Sequence, residues 1–179
     1  QATYGQLINK MSSKLFHIPV DITDGYGTII DTCKIHIAFS GCLSFASFLQ
    51  YGFKIPSMEN NQGFIEYYYK SFLPAFQKKV DELDLIEIRS GQTDTESPLI
   101  LIFKGEVYLV DVTMGIFTLD NEFYIEGSGL EVATGSLYTN LKFHPEISKV
   151  DMVKQAILSA GENTVYCDSD VEVKVINYG

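Results

Sequence analysis

The stretch PLILIFKGEVYLVDV, residues 98–112, carries two short apolar segments on either side of Gly105. Residues 98–104 and 106–112 each have the length and the aliphatic and aromatic content of a β-strand. A glycine between two such segments is typical of a tight turn. The stretch therefore predicts a β-hairpin, and with it antiparallel pairing in the sheet to which the hairpin belongs.

Strand and helix patterns alternate in blocks along the rest of the chain. An apolar side chain recurs every four residues from Phe64 to Val80, which predicts the buried face of a helix, and Pro74 predicts a kink in that helix. Residues 84–97 read as a strand fragment and a loop. Further strands are predicted at residues 14–18, 34–39, 122–126 and 170–176, and helices at residues 44–51, 63–83, 130–141 and 148–161. Grouped strands separated by helix pairs predict an α+β fold of two sheets covered by helix layers.

Length and charge limit the classes of protein that need to be considered. The chain has 179 residues, 46% of them hydrophobic and 20% charged, which is typical of one folded domain. Its net charge of −10 argues against nucleic acid and anionic membranes as partners. The longest apolar runs have the length of a strand, so we expect no membrane-spanning segment.

The residues that commonly bind metals show no metal-binding spacing. The three cysteines and three histidines are scattered, so we expect free thiols in a reducing compartment and no zinc site. The acidic turns at residues 94–96 and 168–170 do not continue into a calcium-binding loop pattern. Cys42, at the predicted start of a helix, remains an alternative candidate nucleophile.

Two turns built of small residues each follow a predicted strand and precede a predicted helix. They are Ser40-Gly41-Cys42 and Gly127-Ser128-Gly129. Backbone N–H groups at the start of a helix can bind an anion or polarise a substrate carbonyl. Taken alone, Gly127-Ser128-Gly129 is better read as an ordinary tight turn.

Several stretches, taken together and in order, resemble one family over the whole chain. They are residues 1–5 with 14–16, residues 37–42, residues 127–129 and residues 160–167. This set resembles the proteasome β-type, HslV-like family of N-terminal-nucleophile (Ntn) threonine peptidases. The resemblance implies a single domain over residues 1–179 with a four-layer αββα sandwich of two antiparallel sheets. It also implies that a catalytic threonine and the first two strands of the fold precede Gln1.

The resemblance implies a catalytic role for three residues of this chain. In the family, the N-terminal threonine hydroxyl is the nucleophile and its own α-amine is the base. Lys14 matches the lysine whose positive charge lowers the pKa of that amine. Gly41 matches the residue whose backbone N–H stabilises the oxyanion, and Ser128 matches a serine that hydrogen-bonds near the amine.

The resemblance also implies substrate-binding and cation-binding residues. Thr3 matches the residue that pairs with the substrate backbone. The primary specificity pocket would be lined by Ala2, Ser12, Phe16, Phe39 and Leu43, although core packing is an equally simple role for such side chains. Where related proteasomes carry Asp and Ser near the end of the last helix, this chain has Thr164 and Cys167. No cofactor is expected to be essential, but Na⁺ could bind carbonyl oxygens of Gly161, Thr164 and Cys167.

The expected function follows from this resemblance. The chain would be a subunit of a cytoplasmic endopeptidase that cleaves unfolded proteins and peptides inside hexameric or heptameric rings. An ATP-dependent unfoldase would be its partner. Two alternatives remain, namely a catalytically inactive structural or regulatory subunit of the same fold, and an unrelated α+β binding module.

Overall fold

The computed structural model describes residues 14–40, 46–83, 88–89, 92–93, 98–119, 123–165, 167 and 170–177. Two compact units, residues 1–120 and 121–179, make up the chain. The first unit contains the sheets and the second contains a pair of helices. That residues 1–179 form a single domain stays a prediction.

The first unit is built on a six-stranded sheet, as far as the described residues go, with the strand order β3-β1-β2-β6-β7-β8. All neighbouring strands pair antiparallel except β1 and β3, which pair parallel. Strands β4 and β5 form a separate two-stranded ribbon. The strands are β1 (Leu15–Thr23), β2 (Ile29–Phe39), β3 (Met58–Glu59), β4 (Ile88–Arg89), β5 (Gln92–Thr93), β6 (Leu99–Phe103), β7 (Glu106–Val110) and β8 (Ile116–Thr118).

The predicted hairpin at residues 98–112 is confirmed. Phe103 pairs with Glu106, so Lys104 and Gly105 alone form the turn. Both have positive φ, +49° and +88°. Two central residues with positive φ match the right-handed twist of the flanking strands, which explains the glycine and the tight connection.

Strand β1 continues past the predicted end at residue 18, through Pro19. The Phe39 N–H donates to the Lys14 carbonyl at 3.3 Å, so residues 14 and 39 form a hydrogen-bonded pair. Hydrogen-bonded and non-hydrogen-bonded pairs alternate along an antiparallel ladder. Pro19, opposite Lys34, therefore occupies a non-hydrogen-bonded position toward β2, where its missing N–H removes no bond of that ladder.

The predicted helix at residues 63–83 is continuous from residue 64 to 83, and we call it α1. It is α-helical at Phe64–Tyr67, π-helical at Tyr68–Phe72 and α-helical at Leu73–Leu83. The Leu73 N–H donates to the Tyr68 carbonyl, one residue further back than in an α-helix. The widened turn lies directly before Pro74, which cannot donate to the preceding turn, so the helix widens there and continues. A second π-helical turn spans Phe48–Gly52.

The core of the first unit lies between one face of the sheet and α1. The predicted stripe is confirmed, because the side chains from Phe64 to Val80 that recur every four residues are buried. The Phe64 ring stacks on Phe103 of β6 with centroids 4.8 Å apart. The Tyr68 hydroxyl donates to the Met114 carbonyl at 3.0 Å, which satisfies a polar group inside this core.

The second unit contains helices α2 (Leu130–Phe143) and α3 (Lys149–Asn163). They pack through a cluster of small and aliphatic side chains, Ala133, Leu137, Met152, Ala156 and Ala160. Ser148 is the N-cap of α3, as predicted, because its side chain accepts a hydrogen bond from the Asp151 N–H. The predicted C-terminal end at Gly161 is wrong, since α3 continues to Asn163 and Thr164 is its C-cap.

Two predicted strands of the second unit are absent from the structure. Residues 123–126 and 170–177 are described but belong to no strand. Phe123 and Ile125 pack instead against the helix pair. The alternating pattern at residues 123–126 thus reflects side chains that are half-buried against the helix pair and not strand pairing. The mixed α+β class is confirmed, while the two-sheet sandwich stays a prediction.

Candidate functional site

The turn Gly127-Ser128-Gly129 leads directly into α2. Gly127 has a φ of +118°, a conformation that side chains disfavour. The Leu130 N–H donates to the Gly127 carbonyl at 3.1 Å, which closes the turn, and the Ala133 N–H donates to the Gly129 carbonyl at 3.0 Å. Gly129 is the N-cap of α2. The turn is therefore held by backbone hydrogen bonds, and Ser128 projects from its centre.

Gly129 lies in contact with the end of α3. A Cβ atom at this position would lie 2.7 Å from the Ala160 Cβ and 2.8 Å from the Cys167 Sγ. Real Cβ atoms essentially never approach other atoms so closely. The absence of a side chain at residue 129 is therefore what allows the turn and the end of α3 to lie together.

Ser128 and Cys167 form the polar contact at this junction. The Ser128 Oγ lies 3.5 Å from the Cys167 Sγ, and either group can donate the proton. Ser128 is exposed and Cys167 is half-buried. A hydroxyl that is exposed on one side and held by a neighbour on the other can form hydrogen bonds to a bound group. We call Ser128, Gly129, Ala160 and Cys167 the turn–helix junction.

The end of α3 supplies oxygen atoms next to this junction. The Thr164 N–H and Oγ1 both donate to the Ala160 carbonyl, at 2.9 Å and 2.8 Å. Gly161 is in the last turn of α3, and the last four carbonyls of an α-helix have no partner within the helix. Carbonyl oxygens of Gly161, Thr164 and Cys167 are hard donors of the kind that suits Na⁺. In the described part of the chain, no three His, Cys, Asp or Glu side chains cluster as metal ligands would.

An ionisable side chain upstream of the turn is held protonated. The Tyr124 hydroxyl donates to the Glu126 carboxylate at 2.8 Å. Burial and this hydrogen bond raise the pKa of Tyr124 to about 12. The phenol therefore remains neutral at physiological pH and is not a general base beside the turn.

Lys14, Phe16 and Phe39 lie together in the first unit. Lys14 is exposed and directly precedes β1. Its carbonyl accepts a hydrogen bond from the Phe39 N–H of β2. The Phe16 and Phe39 rings meet edge to face with centroids 6.3 Å apart, and both are buried in the core. Such burial fits core packing at least as well as it fits the wall of a substrate pocket.

The remaining predicted site residues lie outside the described residues. They are Ala2, Thr3, Ser12, Gly41 and Leu43, and the alternative nucleophile Cys42 lies there too. Cys33 and Cys167 are free thiols, as expected, and burial raises the pKa of Cys33. Within the described ranges, no helix has the length and apolarity needed to cross a membrane.

Sequence reasoning missed the close packing of Gly129 on Ala160. The signal was present in part, because Met152, Ala156 and Ala160 recur every four residues and place small side chains on one face of α3. A small-residue face predicts close approach of another backbone segment. It does not say which of the chain's glycines makes that approach.

Comparisons with known proteins rest on structure alone. No protein-family model and no curated protein sequence matches the chain. The structure of Thiobacillus denitrificans BPH matches with a TM-score of 0.65 and 13% identity, covering 93% of this chain and 95% of that one. BPH in complex with epoxomicin matches with a TM-score of 0.65 and 14% identity, covering 94% and 96%.

Eukaryotic HslV from Trypanosoma brucei is a more distant match. Its TM-score is 0.45 at 16% identity, over 88% of this chain and 91% of that one. The likeness to BPH, over almost the full length of both chains, shows that this chain has the fold of BPH. The likeness to BPH agrees with the mixed α+β fold predicted from the sequence.

Proposed function

We propose that this chain is a subunit of a ring-forming, threonine-type endopeptidase that hydrolyses peptide bonds of unfolded proteins. The observation that carries the proposal is the fold shared with BPH, a protein whose structure is known in complex with epoxomicin. Epoxomicin is a proteasome inhibitor. Because this chain shares the fold of a protein that binds such an inhibitor, the comparison favours a hydrolase over an unrelated binding module.

The turn–helix junction provides a second line of support. The family resemblance implies a role near the reacting amine for Ser128 and a supporting cation site at Gly161, Thr164 and Cys167. In the structure, the Ser128 Oγ lies 3.5 Å from the Cys167 Sγ, although 39 residues separate them in sequence. This contact brings together a residue of each implied site within the second unit.

The six-stranded sheet supports the four-layer arrangement that we propose for the fold. In β6, Leu99, Leu101 and Phe103 are buried toward α1, while Ile100 and Ile102 point to the other face and are half-buried. In β7, Val107 and Leu109 continue that second face. A sheet with two apolar faces requires a layer on each. We propose that a second antiparallel sheet covers this face and that a helix layer covers the second sheet.

The proposed reaction is acyl transfer followed by hydrolysis. An N-terminal threonine preceding Gln1 would add its hydroxyl to the substrate carbonyl while its α-amine takes the hydroxyl proton. The amine then gives that proton to the leaving peptide amine, and water hydrolyses the ester. Lys14 would keep the α-amine neutral through its positive charge, the Gly41 N–H would bind the oxyanion, and Ser128 would hydrogen-bond near the amine.

The proposal extends to substrate, ion and partners as the family resemblance implies them. Thr3 would pair with the substrate backbone, and an apolar pocket that includes Phe16 and Phe39 would favour an apolar side chain before the cleaved bond. Carbonyl oxygens at the end of α3 would hold Na⁺ as a supporting ion. Hexameric or heptameric rings fed by an ATP-dependent unfoldase would restrict cleavage to unfolded chains in the cytoplasm.

The decisive experiment is N-terminal sequencing and intact-mass measurement of the mature protein from its native source, before and after incubation with epoxomicin. We expect an N-terminal threonine and a mass increase of one inhibitor per chain. A mature chain that begins with a residue other than Thr, Ser or Cys and takes up no inhibitor would overturn the peptidase. Retention of rings in that case would favour the inactive structural or regulatory subunit.

A further inference from the structure

The six-stranded sheet has an open edge that the proposed function does not use. Strand β2 spans Ile29–Phe39, but it pairs with β6 only from His36 to Phe39. No other described strand pairs with β2 on that side. The part of β2 before His36 therefore extends past β6 and presents a strand edge, which we call the β2 edge (residues 29–35).

Thr32 directs its backbone N–H and C=O groups toward the β2 edge. The alternation of ladder positions that follows from the Phe39 N–H bond puts Thr32 at a non-hydrogen-bonded position toward β1. Its N–H donates instead to the Asp31 Oδ1 at 2.7 Å, and the Cys33 thiol donates to the Asp31 Oδ2 at 3.7 Å. A side-chain carboxylate thus takes the bond that the carbonyl of a neighbouring strand would otherwise accept.

The charges around the β2 edge favour a basic partner. Asp21, Asp24 and Asp31 lie on the hairpin that carries the edge, whereas Lys34 and Lys104 lie at the end of the edge next to the β6–β7 turn. In the described part of the chain, none of the three carboxylates lies within ion-pair distance of a basic side chain. Asp31 is exposed, so a basic side chain on an added strand can reach it. The net charge of −10 makes a second copy of this chain a poor partner for the edge.

Exposed apolar side chains lie beside these carboxylates. Ile29 and Ile30 are 59% and 52% exposed, and Tyr26 in the turn between β1 and β2 is 97% exposed. The turn has a defined geometry, because the Asp24 Oδ1 accepts hydrogen bonds from the Tyr26 and Thr28 N–H groups at 2.9 Å and 2.8 Å. A partner that covers this part of the hairpin therefore needs apolar side chains as well as basic ones.

We propose that the β2 edge binds an extended polypeptide segment in which basic and apolar residues alternate, and that this segment adds a strand to the sheet. A main-chain carbonyl of the segment accepts the Thr32 N–H, and the released Asp31 carboxylate pairs with a basic side chain of the segment. Strand addition of this kind takes its affinity from main-chain hydrogen bonds and its specificity from alternate side chains. The inference is independent of the proposed peptidase activity, because it uses none of the residues assigned to that reaction.

The test is fluorescence anisotropy of a labelled peptide titrated with the full chain. The peptide has about six residues, the length of an average strand, and lysine alternates with valine along it. We expect saturable binding at one site per chain, with the peptide still intact by mass after the titration. A version with N-methylated backbone amides keeps the charge and the side chains but cannot pair as a strand. It should bind at least about fivefold more weakly.

Two substitutions at Thr32 separate the backbone donor from the side chain. Thr32→Pro removes the N–H at the edge and should weaken peptide binding at least about fivefold. Like Pro19, this proline lies where the ladder between β1 and β2 needs no N–H, so the fold is retained, and far-UV circular dichroism verifies that. Thr32→Val is the matched control, because it keeps the N–H and the branched Cβ and should bind as the unmodified chain does.

A third substitution tests the role of the carboxylate. Asp31→Asn should reduce the preference for the lysine peptide over its glutamine counterpart about two- to fivefold, as expected for an exposed ion pair. Absence of saturable binding by the unmodified chain overturns the proposal and leaves Asp31 as a group that protects the edge from pairing. Equal binding of the N-methylated peptide, or by Thr32→Pro, overturns it as well, because charge attraction alone would then account for the binding.

Discussion

Substituting Gly129 by alanine tests the packing on which the turn–helix junction depends. The added Cβ would lie 2.7 Å from the Ala160 Cβ, roughly 0.7 Å inside the 3.4 Å at which ordinary contact begins. Gly129 has φ −94° and ψ 10°, which alanine tolerates, so backbone strain does not contribute. Overpacking of this kind costs about 1–3 kcal/mol. Alanine is also a poorer N-cap than glycine, which acts in the same direction.

The measurement is the free energy of unfolding of the full chain, from denaturant titration followed by far-UV circular dichroism. Gly135→Ala is a matched control within α2, since nothing lies within 4 Å of a Cβ at that position. Replacing an unhindered glycine in a helix interior stabilises by about 0.5–1 kcal/mol. The two glycine-to-alanine changes should therefore shift stability in opposite directions.

A double substitution separates the clash from the effects of capping. Ala160→Gly removes the atom nearest to the new Cβ, and alone it costs about 1 kcal/mol in helix propensity. If the clash is real, Gly129→Ala should be at least about 1 kcal/mol less harmful in the Ala160→Gly background. Additive effects within about 0.5 kcal/mol, or a Gly129→Ala chain as stable as the unmodified one, would refute the reasoning.

Further predictions concern a helix cap, a loop carboxylate and the proposed catalytic residues. Ser148→Ala should lower the free energy of unfolding by about 1 kcal/mol, because the Asp151 N–H loses its acceptor at 3.1 Å. Burial opposes ionisation of Asp111, but hydrogen bonds from its own loop lower its pKa below the ordinary 3.8. Stability from this ionised carboxylate is complete above pH about 4 and is lost as the pH falls through the lowered pKa. Asp111→Ala should therefore lower the free energy of unfolding less at acidic pH than at neutral pH, which denaturant titrations at a series of pH values would show. Lys14→Ala should abolish peptide cleavage while ring size by light scattering is unchanged, and wild-type turnover would refute its role. Gly41→Ala should reduce kcat by crowding the oxyanion, and unaltered kinetics would contradict that assignment.

Elements with a local cause could be predicted from the sequence. The hairpin at residues 98–112 is encoded by two apolar segments and one glycine, and α3 begins at Ser148 because its side chain caps the helix. The stripe from Phe64 to Val80 predicts α1, but not its π-helical turn, which depends on how the chain accommodates Pro74. The sequence predicts a strand that ends at residue 18, but β1 continues to Thr23, because Pro19 lies opposite Lys34 at a position where the ladder to β2 needs no N–H.

Alternation of apolar residues is a weaker predictor than these local signals, because it records burial and not pairing. Residues 122–126 and 170–176 alternate as strands do, yet the described residues among them belong to no strand, and Phe123 and Ile125 pack on the helix pair. Apolar residues occupy alternate positions wherever one side of an extended segment is covered. Whether a sheet or a helix covers it depends on residues far away in the sequence.

The same distinction applies to the candidate site. The residue types in Gly127-Ser128-Gly129 indicate a turn before a helix, and the positive φ of Gly127 agrees with that. The contact between Ser128 and Cys167 spans 39 residues and depends on Gly129 having no side chain where α3 presents Ala160. Turn chemistry cannot supply such a contact, because it is a property of how α2 and α3 pack. If the junction positions Ser128, the absence of a methyl group at Gly129 sets that position as much as the serine does. Gly129→Ala should therefore disturb both the packing of the turn against α3 and the position of Ser128.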